Sequence, residues 1–229
     1  MKIGVAIPCY IGHIVPLFNL LDSIQNQTLL PDKVVVSCSS SKDSDFGSEL
    51  YNEKMQSYTF ILQIITNKEK KNAAQNRNIA ASQLSDMDYL TFIDADDLMH
   101  PQRIEILLHV FQEYDSDIIL HNYFIDVTFE NELFKKIPQD DIKIRLNSLR
   151  QHWSGCIEHI DYYYINEGIH HSQVSVKSNI FNKVKFPEEI EYTRREDCIF
   201  CHRVFNLDGI TNCYIANKLS YYLPSNTIF

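Results

Sequence analysis

Long runs of any one character are missing from this 229-residue chain. No apolar stretch approaches the roughly 18 residues that cross a bilayer, so no helical membrane span is expected. Basic residues form no block. Lys68-Glu69-Lys70-Lys71 is the densest cluster, and the net charge is −9, so the footprint of nucleic-acid binding is missing. Near the first apolar segment Gly12 stands alone, which leaves no glycine-rich phosphate loop and argues against a nucleotidyltransferase. Cys198-Ile199-Phe200-Cys201 has no second pair at zinc spacing and reads as two buried thiols on a helix. Met1-Lys2 leads into Ile3 to Ile7, too short for a signal-peptide core and broken at Pro8. With six scattered cysteines, a reducing cytoplasmic setting is expected, the protein soluble or peripheral to a membrane. No repeat, low-complexity tract or linker divides the chain, and one domain is expected across 1–229.

Alternation is what the chain does have. Ile3 to Ile7 reads as a buried strand, and Pro16 opens a helical pattern of Leu17, Phe18, Leu20, Leu21 and Ile24. Lys33 to Val36 is a β-branched second strand, Ser37 to Asp45 a loop, and Phe60 to Ile65 a third strand. Asn72 to Leu84 is Ala-rich and helical, Asp88 to Ile93 a fourth strand, Pro101 to Tyr114 a helix and Asp117 to Phe124 another strand. Units of roughly 25–30 residues predict an α/β fold with a mostly parallel sheet covered by helices. The second half is less regular. Gln139 to Trp153 has the spacing of an amphipathic helix, His171 to Val176 of a strand, and Asp197 to Leu207 of a helix closed by Gly209; Ile210 to Ala216 reads as a last strand.

The strongest chemical signal is Asp94-Ala95-Asp96-Asp97, where the apolar run Tyr89 to Ile93 gives out. Side chains alternate along an extended chain, so Asp94 and Asp96 point the same way, about 7 Å apart at Cα. Two such acids can share one hard cation that also takes phosphate oxygens. The competing reading is an acidic turn before a helix, since His100-Pro101 follows. Position favours the cation: ligands of parallel sheets bind at the carboxyl ends of strands, where Asp94 to Asp97 and Pro8-Cys9-Tyr10 both lie.

These segments together resemble family 2 glycosyltransferases of the GT-A fold. Ile7-Pro8-Cys9-Tyr10 resembles the family's opening strand and P-x-Y turn, and Leu21 to Thr28 its first helix, which often ends L-x-S-I-x-x-Q-T. Asn67 with Ala74-Gln75-Asn76-Arg77-Asn78 resembles N-x-G…A-R-N-x-G with a one-residue offset, and Phe92 to Asp97 with Pro101 resembles F-L-D-A-D-D…P. Glu196-Asp197 ahead of a helix containing Arg203 resembles E-D…R. The resemblance implies transfer of a sugar from a nucleotide-diphosphate sugar, a UDP-sugar first, to an acceptor hydroxyl with inversion. It implies Mn²⁺ or Mg²⁺ held by Asp94 and Asp96 against the leaving diphosphate. It assigns the general base to Asp197, whose competing role is to cap its helix. It places Arg77 near the donor nucleotide, the competing reading being a surface side chain on a helix. It lays Pro8, Cys9 and Tyr10 against the nucleoside, with a buried core tyrosine the alternative for Tyr10. Residues 1–126 would hold the donor and 127–229 the acceptor, a glycan, lipid-linked or protein hydroxyl.

The pattern also departs from the family. Where members carry Asp-Asp-Gly-Ser, one acid of which contacts uracil, this chain reads Ser37-Cys38-Ser39-Ser40-Ser41; hydroxyls of Ser37 or Ser39 can still bond a base. Ile11 stands where Asn is common, and no histidine follows His202 as a further metal ligand. Tyr221-Tyr222 occupies the region where members close the donor site. His170 and His171 lie upstream of Glu196 and are given no ligand role. Trp153 and Tyr162-Tyr163-Tyr164 offer flat faces for a sugar ring, or ordinary core material. The rival from another class is a non-catalytic module that keeps the fold.

Overall fold

A computed structural model describes residues 1–124, 135–151, 157–159, 173–192 and 195–223. The β-branched and apolar runs become β1 (Ile3–Tyr10), β2 (Lys33–Ser39), β3 (Ile61–Asn67) and β4 (Tyr89–Phe92), with α1 (Ile14–Gln25), α2 (Glu49–Ser57) and α3 (Ala73–Ser82) between them. Then follow β5 (Leu98–Met99), α4 (Arg103–Tyr114), β6 (Ile118–Phe124), β7 (Ile144–Leu146), β8 (Leu149–Gln151), β9 (Ile157–His159) and β10 (Val174–Lys177). The last elements are α5 (Ser178–Lys183), α6 (Glu196–Phe205) and β11 (Asn212–Tyr221).

A nine-stranded sheet runs β3-β2-β1-β4-β10-β6-β11-β5, with β7 also paired to β11; β8 and β9 pair separately. The first four strands are parallel, with β1 beside β2 and β4. β10 enters antiparallel between β4 and β6, so the second half of the chain contributes a strand to the middle of the sheet. Helices cover both faces. Leu17, Leu20, Leu21 and Ile24 of α1 pack with Ile104, Leu107 and Phe111 of α4 on one face. Ala74, Ala80 and Ala81 of α3 pack with Phe181 of α5 and Phe200 of α6 on the other. The small alanines bring α3 close to the strands, which matters for Arg77 below. The result is a single α/β domain with a mostly parallel sheet.

The helix expected over Gln139 to Trp153 is not formed by its described residues, 139–151. Residues Gln139–Asp141 make one 3₁₀ turn, and the next residues enter β7 and β8. The helical spacing of Ile142, Leu146 and Leu149 coincides with a strand pattern, in which Ile142 and Ile144 pack against the core while Leu146 is 50% exposed. Pairing of Ile144, Arg145 and Leu146 with Ile215, Tyr214 and Cys213 decides it, together with Asn147, whose φ of +47° no helix accepts. Trp153 itself lies outside the described residues. Two smaller differences concern the loop after β2 and the end of α6. β2 runs on to Ser39, and the polar segment beyond it holds α2, whose N-cap Ser48 accepts from the Tyr51 amide. α6 stops at Phe205; Gly209, at φ +74°, serves the following turn instead of the helix C′ position. Among the described residues no helix is long and apolar enough to cross a membrane.

Candidate active site

The carboxyl ends of β1, β2 and β4 open into a cavity of about 490 Å³. Its floor is Pro8, Cys9 and Tyr10 from β1 with Asp94, Ala95 and Asp96 from the turn after β4. Ser39 and Ser40 form one wall with Lys70, Lys71, Ala73 and Asn76, and His13 and Tyr222 stand at the rim. Pro8, Cys9, Tyr10, Asp94 and Asp96 therefore come together as their positions at strand ends predict. Tyr10 is no core residue: it is 47% exposed and packs on the His13 ring at 4.2 Å. The Cys9 thiol is pushed well up, first by its contact with Cys38 and then by burial, so it meets the cavity as a neutral group.

The wall at β2 is fixed by a buried polar network. Ser37 donates to Asn76 Oδ1 at 2.9 Å and accepts from Asn67 Nδ2 at 3.1 Å. Asn76 Nδ2 donates to Cys9 O and to Ser39 Oγ, each at 3.2 Å. Ser37 is thus buried behind the wall and does not line the cavity, while Ser39 and Ser40 do. Ser40 has φ +56°, the left-handed region that favours glycine, and its amide donates to Glu69 O at 3.1 Å. His13, Lys70, Lys71 and Ala73 are lining residues that no motif singled out; their only sequence signal is adjacency to the strand ends.

The three carboxylates of the turn take three roles. Asp96 lies 3.7 Å from His13 Nε2, and its pKa is raised by burial first and by Asp94 second, with His13 opposing. Asp94 Oδ1 accepts from Arg77 Nη2 at 2.9 Å. Asp97 is buried, does not line the cavity, and accepts from the Leu223 amide at 3.1 Å, which brings Tyr222 over the acids. The Tyr222 phenol is pushed up by burial and then by Asp97, Asp96 and Asp94. Among the described residues no group of three or more His, Cys, Asp or Glu is arranged to hold a metal ion. The Asp94–Asp96 pair still fits one whose other ligands come from a diphosphate, because Asp96 carries a charge that burial and its neighbour both disfavour and a cation would relieve.

Arg77 is neither a surface side chain nor a lining residue: it is 0% exposed, and its Nη1 donates to Glu196 Oε1 at 3.0 Å. It thereby connects Asp94 to the first turn of α6. Next to Glu196, Asp197 is buried, and burial pushes its carboxyl up to about 6, against the Cys198 amide and the Arg77 charge, which lower it, while Glu196 raises it. Asp197 is the second residue of α6; the N-cap is Arg195, which makes no side-chain cap bond, and the Asp197 Oδ1 accepts from Cys198 N at 2.8 Å. It does not line the cavity. His170, His171 and Tyr162 to Tyr164 lie outside the described residues.

The model of one protein family, glycosyl transferase family 2, matches residues 5–170. Two curated relatives match in part. One is an uncharacterised glycosyltransferase of Haemophilus influenzae, 32% identical over 107 residues, 44% of this chain and 34% of the relative. The other is the glycosyltransferase GlyG of Streptococcus pneumoniae, 32% identical over 63 residues, 28% of this chain and 21% of the relative. The matches thus span about a third or less of those proteins. Solved structures align with nearly the whole chain. S. aureus TarS 1–349 in complex with UDP has a TM-score of 0.67 at 19% identity, over 97% of this chain and 60% of that one. The mannosyltransferase PcManGT from Pyrobaculum calidifontis, in complex with GDP-Man and Mn²⁺, has a TM-score of 0.65 at 14% identity, over 96% and 56%. At such identities the likeness establishes the fold alone.

Proposed function

The chain belongs to glycosyl transferase family 2, and from that premise we propose that it transfers a sugar from a nucleoside-diphosphate donor, UDP-linked in the first instance, to an acceptor hydroxyl with inversion. One observation carries the reading: Asp94 and Asp96 lie together on the floor of a cavity at the carboxyl ends of parallel strands, the place where such folds bind nucleotides. The complexes of TarS with UDP and of PcManGT with GDP-Man are consistent with it.

The nucleoside would lie on Pro8, Cys9 and Tyr10, against the wall that Asn76 holds, with Ser39 and Ser40 offering hydroxyls to the base. Lys70 and Lys71 supply positive charge on that wall, suited to phosphate or to carbonyl oxygens of a base. Asp94 and Asp96 would hold Mn²⁺ or Mg²⁺, which when bound supplies Lewis-acid stabilisation of the leaving diphosphate. The acceptor proton is assigned to Asp197, which is buried off the cavity wall and follows Glu196, the acid that Arg77 joins to Asp94. With a pKa near 6 Asp197 is ionised at neutral pH and still basic enough to accept one. Residues 1–126 are assigned to the donor, with Tyr222 added at the rim of its cavity, and the rest of 127–229 to the acceptor.

Thermal shift against UDP, GDP and TDP, and their sugars, with and without Mn²⁺, tests the donor site. A matched nucleotide at about 100 times its Kd adds about 2.7 kcal/mol. Asp96→Ala should remove the metal-dependent part of that shift, and Asp197→Ala should keep it while transfer falls by about 10²–10⁴-fold. No shift with any nucleotide would instead support a non-catalytic module, and near-normal transfer by the Asp197 variant would remove the base assignment.

A further inference from the structure

The geometry points to Arg77 as a positioning residue: a guanidinium outside the cavity that locks Asp94 of the donor site and the Glu196–Asp197 corner of α6 into one unit. This rests on the donor-site reading above and adds a residue that acts through others instead of touching the nucleotide. Arg77 spends its two terminal nitrogens on two different carboxylates, Asp94 at 2.9 Å and Glu196 at 3.0 Å, which lie 17 and 119 residues away in sequence. It is wholly buried, with its guanidinium 5.4 Å from the Phe186 ring centroid, so water is kept from the cation and largely from Glu196, while Asp94 keeps a face on the cavity. A planar fork with donors on both arms holds the two acids at fixed positions on either side of it, whereas a lysine is a single point charge on a flexible stem.

Docking of the chain around α6 onto α3 does not need this bridge. Asn78 Nδ2 donates to Phe186 O at 2.9 Å and its Oδ1 accepts from Phe186 N at 3.1 Å, while Asn72 Nδ2 donates to Glu188 O at 2.9 Å. Neutral side chains on the same helix already hold that segment. The ion bridge is also incompletely satisfied: Arg77 Nε and Glu196 Oε2 are buried and have no partner among the described residues. A bridge kept for stability alone would be better closed, since each orphaned buried group carries a desolvation cost. What the bridge uniquely supplies is a fixed relation between the acid facing the diphosphate and the acid beside the proposed base, the support that a bound metal's ligands require.

The test is a double-mutant cycle read by Mn²⁺–UDP binding calorimetry on the full chain, with thermal melting as the control for folding. Arg77→Lys keeps the charge; it should melt cooperatively and raise the Kd for Mn²⁺–UDP about tenfold, the usual effect of removing support behind a metal ligand. Glu196→Gln, at a residue that does not line the cavity, should raise the same Kd about threefold, and the double variant should bind no more weakly than Arg77→Lys alone, because coupled partners are not additive. Asn78→Ala, which loosens docking only, should lower the melting temperature and leave the Kd unchanged. A folded Arg77→Lys protein with wild-type Kd, or a Glu196→Gln effect that persists in full in the Arg77→Lys background, would overturn the tie and leave the donor site standing. Wild-type protein that binds no Mn²⁺–nucleotide would remove the donor site and the tie together.

Discussion

Two arginines flank the Asp94–Asp97 turn from opposite faces of the sheet, and both are completely buried. Their surroundings differ. On the α3 face Arg77 meets two carboxylates; burial works against its charge, Asp94 and Glu196 outweigh burial, and its pKa is raised. On the α4 face Arg103 donates from Nη2 to two neutral acceptors, Thr91 Oγ1 and Phe92 O, each at 2.8 Å. Its Nε and Nη1 have no partner among the described residues, and burial lowers its pKa to about 9 against the opposing charge of Asp97. The Arg77 face is organised around charge that must be kept in place. The Arg103 face is a prop: it fastens α4 to the end of β4 and sets where the acidic turn begins.

Replacing each arginine by an apolar residue of similar length gives the largest contrast. Arg77→Met strands Asp94 and the buried Glu196 without their cation, and breaking a buried pair from one side costs about 3–5 kcal/mol. Arg103→Met removes two hydrogen bonds but also two orphaned donors, and should cost about 1–2 kcal/mol. Urea denaturation of both variants measures the difference. Equal costs would mean that the Asp94 and Glu196 contacts contribute no more than the neutral ones.

The same contrast explains what could be read from sequence. The donor floor was legible because it follows from periodicity: β1 and β4 are apolar runs, so Pro8-Cys9-Tyr10 and Asp94 to Asp96 fall at their ends whatever the rest of the fold does. Arg77 could be matched by motif but not placed, because its burial depends on α3 packing closely through Ala74, Ala80 and Ala81 and on acids over a hundred residues away. Ser37 was legible as a candidate and proves to be a brace for Asn76, since a hydroxyl at a strand end gives no hint which way its partner lies. Residues 139–151 misled because one spacing of Ile142, Leu146 and Leu149 serves both a helix and a pair of short strands, and the deciding partner, β11, lies far along the chain.

The second contrast is in pH. The Arg77 face carries a buried acid poised near neutrality. The folded Asp197 carboxyl, raised to about 6 from the usual 3.8, binds a proton more tightly than the unfolded chain does. Its ionised form therefore costs stability above about 6, and that cost fades as pH falls toward 3.8. Asp197→Asn should gain about 1–3 kcal/mol at pH 7 and lose the advantage below pH 4, by chemical denaturation across pH. Transfer by the wild type should fall about tenfold per unit below pH 6. Arg103→Met should leave that limb where it is, while Arg77→Met should move it upward, because the Arg77 charge is one of the influences holding the Asp197 pKa down. An identical limb in all three proteins would uncouple Asp197 from the Arg77 face.

The smallest effect tests whether the Arg103 face really runs on neutral contacts. Thr91 Oγ1 accepts from both Arg103 Nη2 and Ser175 Oγ at 2.8 Å, so a single hydroxyl joins α4, β4 and β10. Thr91→Val keeps the shape and deletes the acceptor, leaving the arginine with Phe92 O and the Ser175 hydroxyl short of a partner. A cost of about 1–2 kcal/mol is expected, since one partner is charged and the site is buried. In the Arg103→Met background most of that cost should vanish, because the contact that Val removes is already gone; residues sharing a contact do not add. Mn²⁺–UDP binding should be unchanged in both, in contrast to Arg77→Lys. A Thr91→Val cost that is undiminished without Arg103 would place the hydroxyl's value in the Ser175 bond instead, and Arg103 would then rest on the Phe92 carbonyl and Asp97 alone.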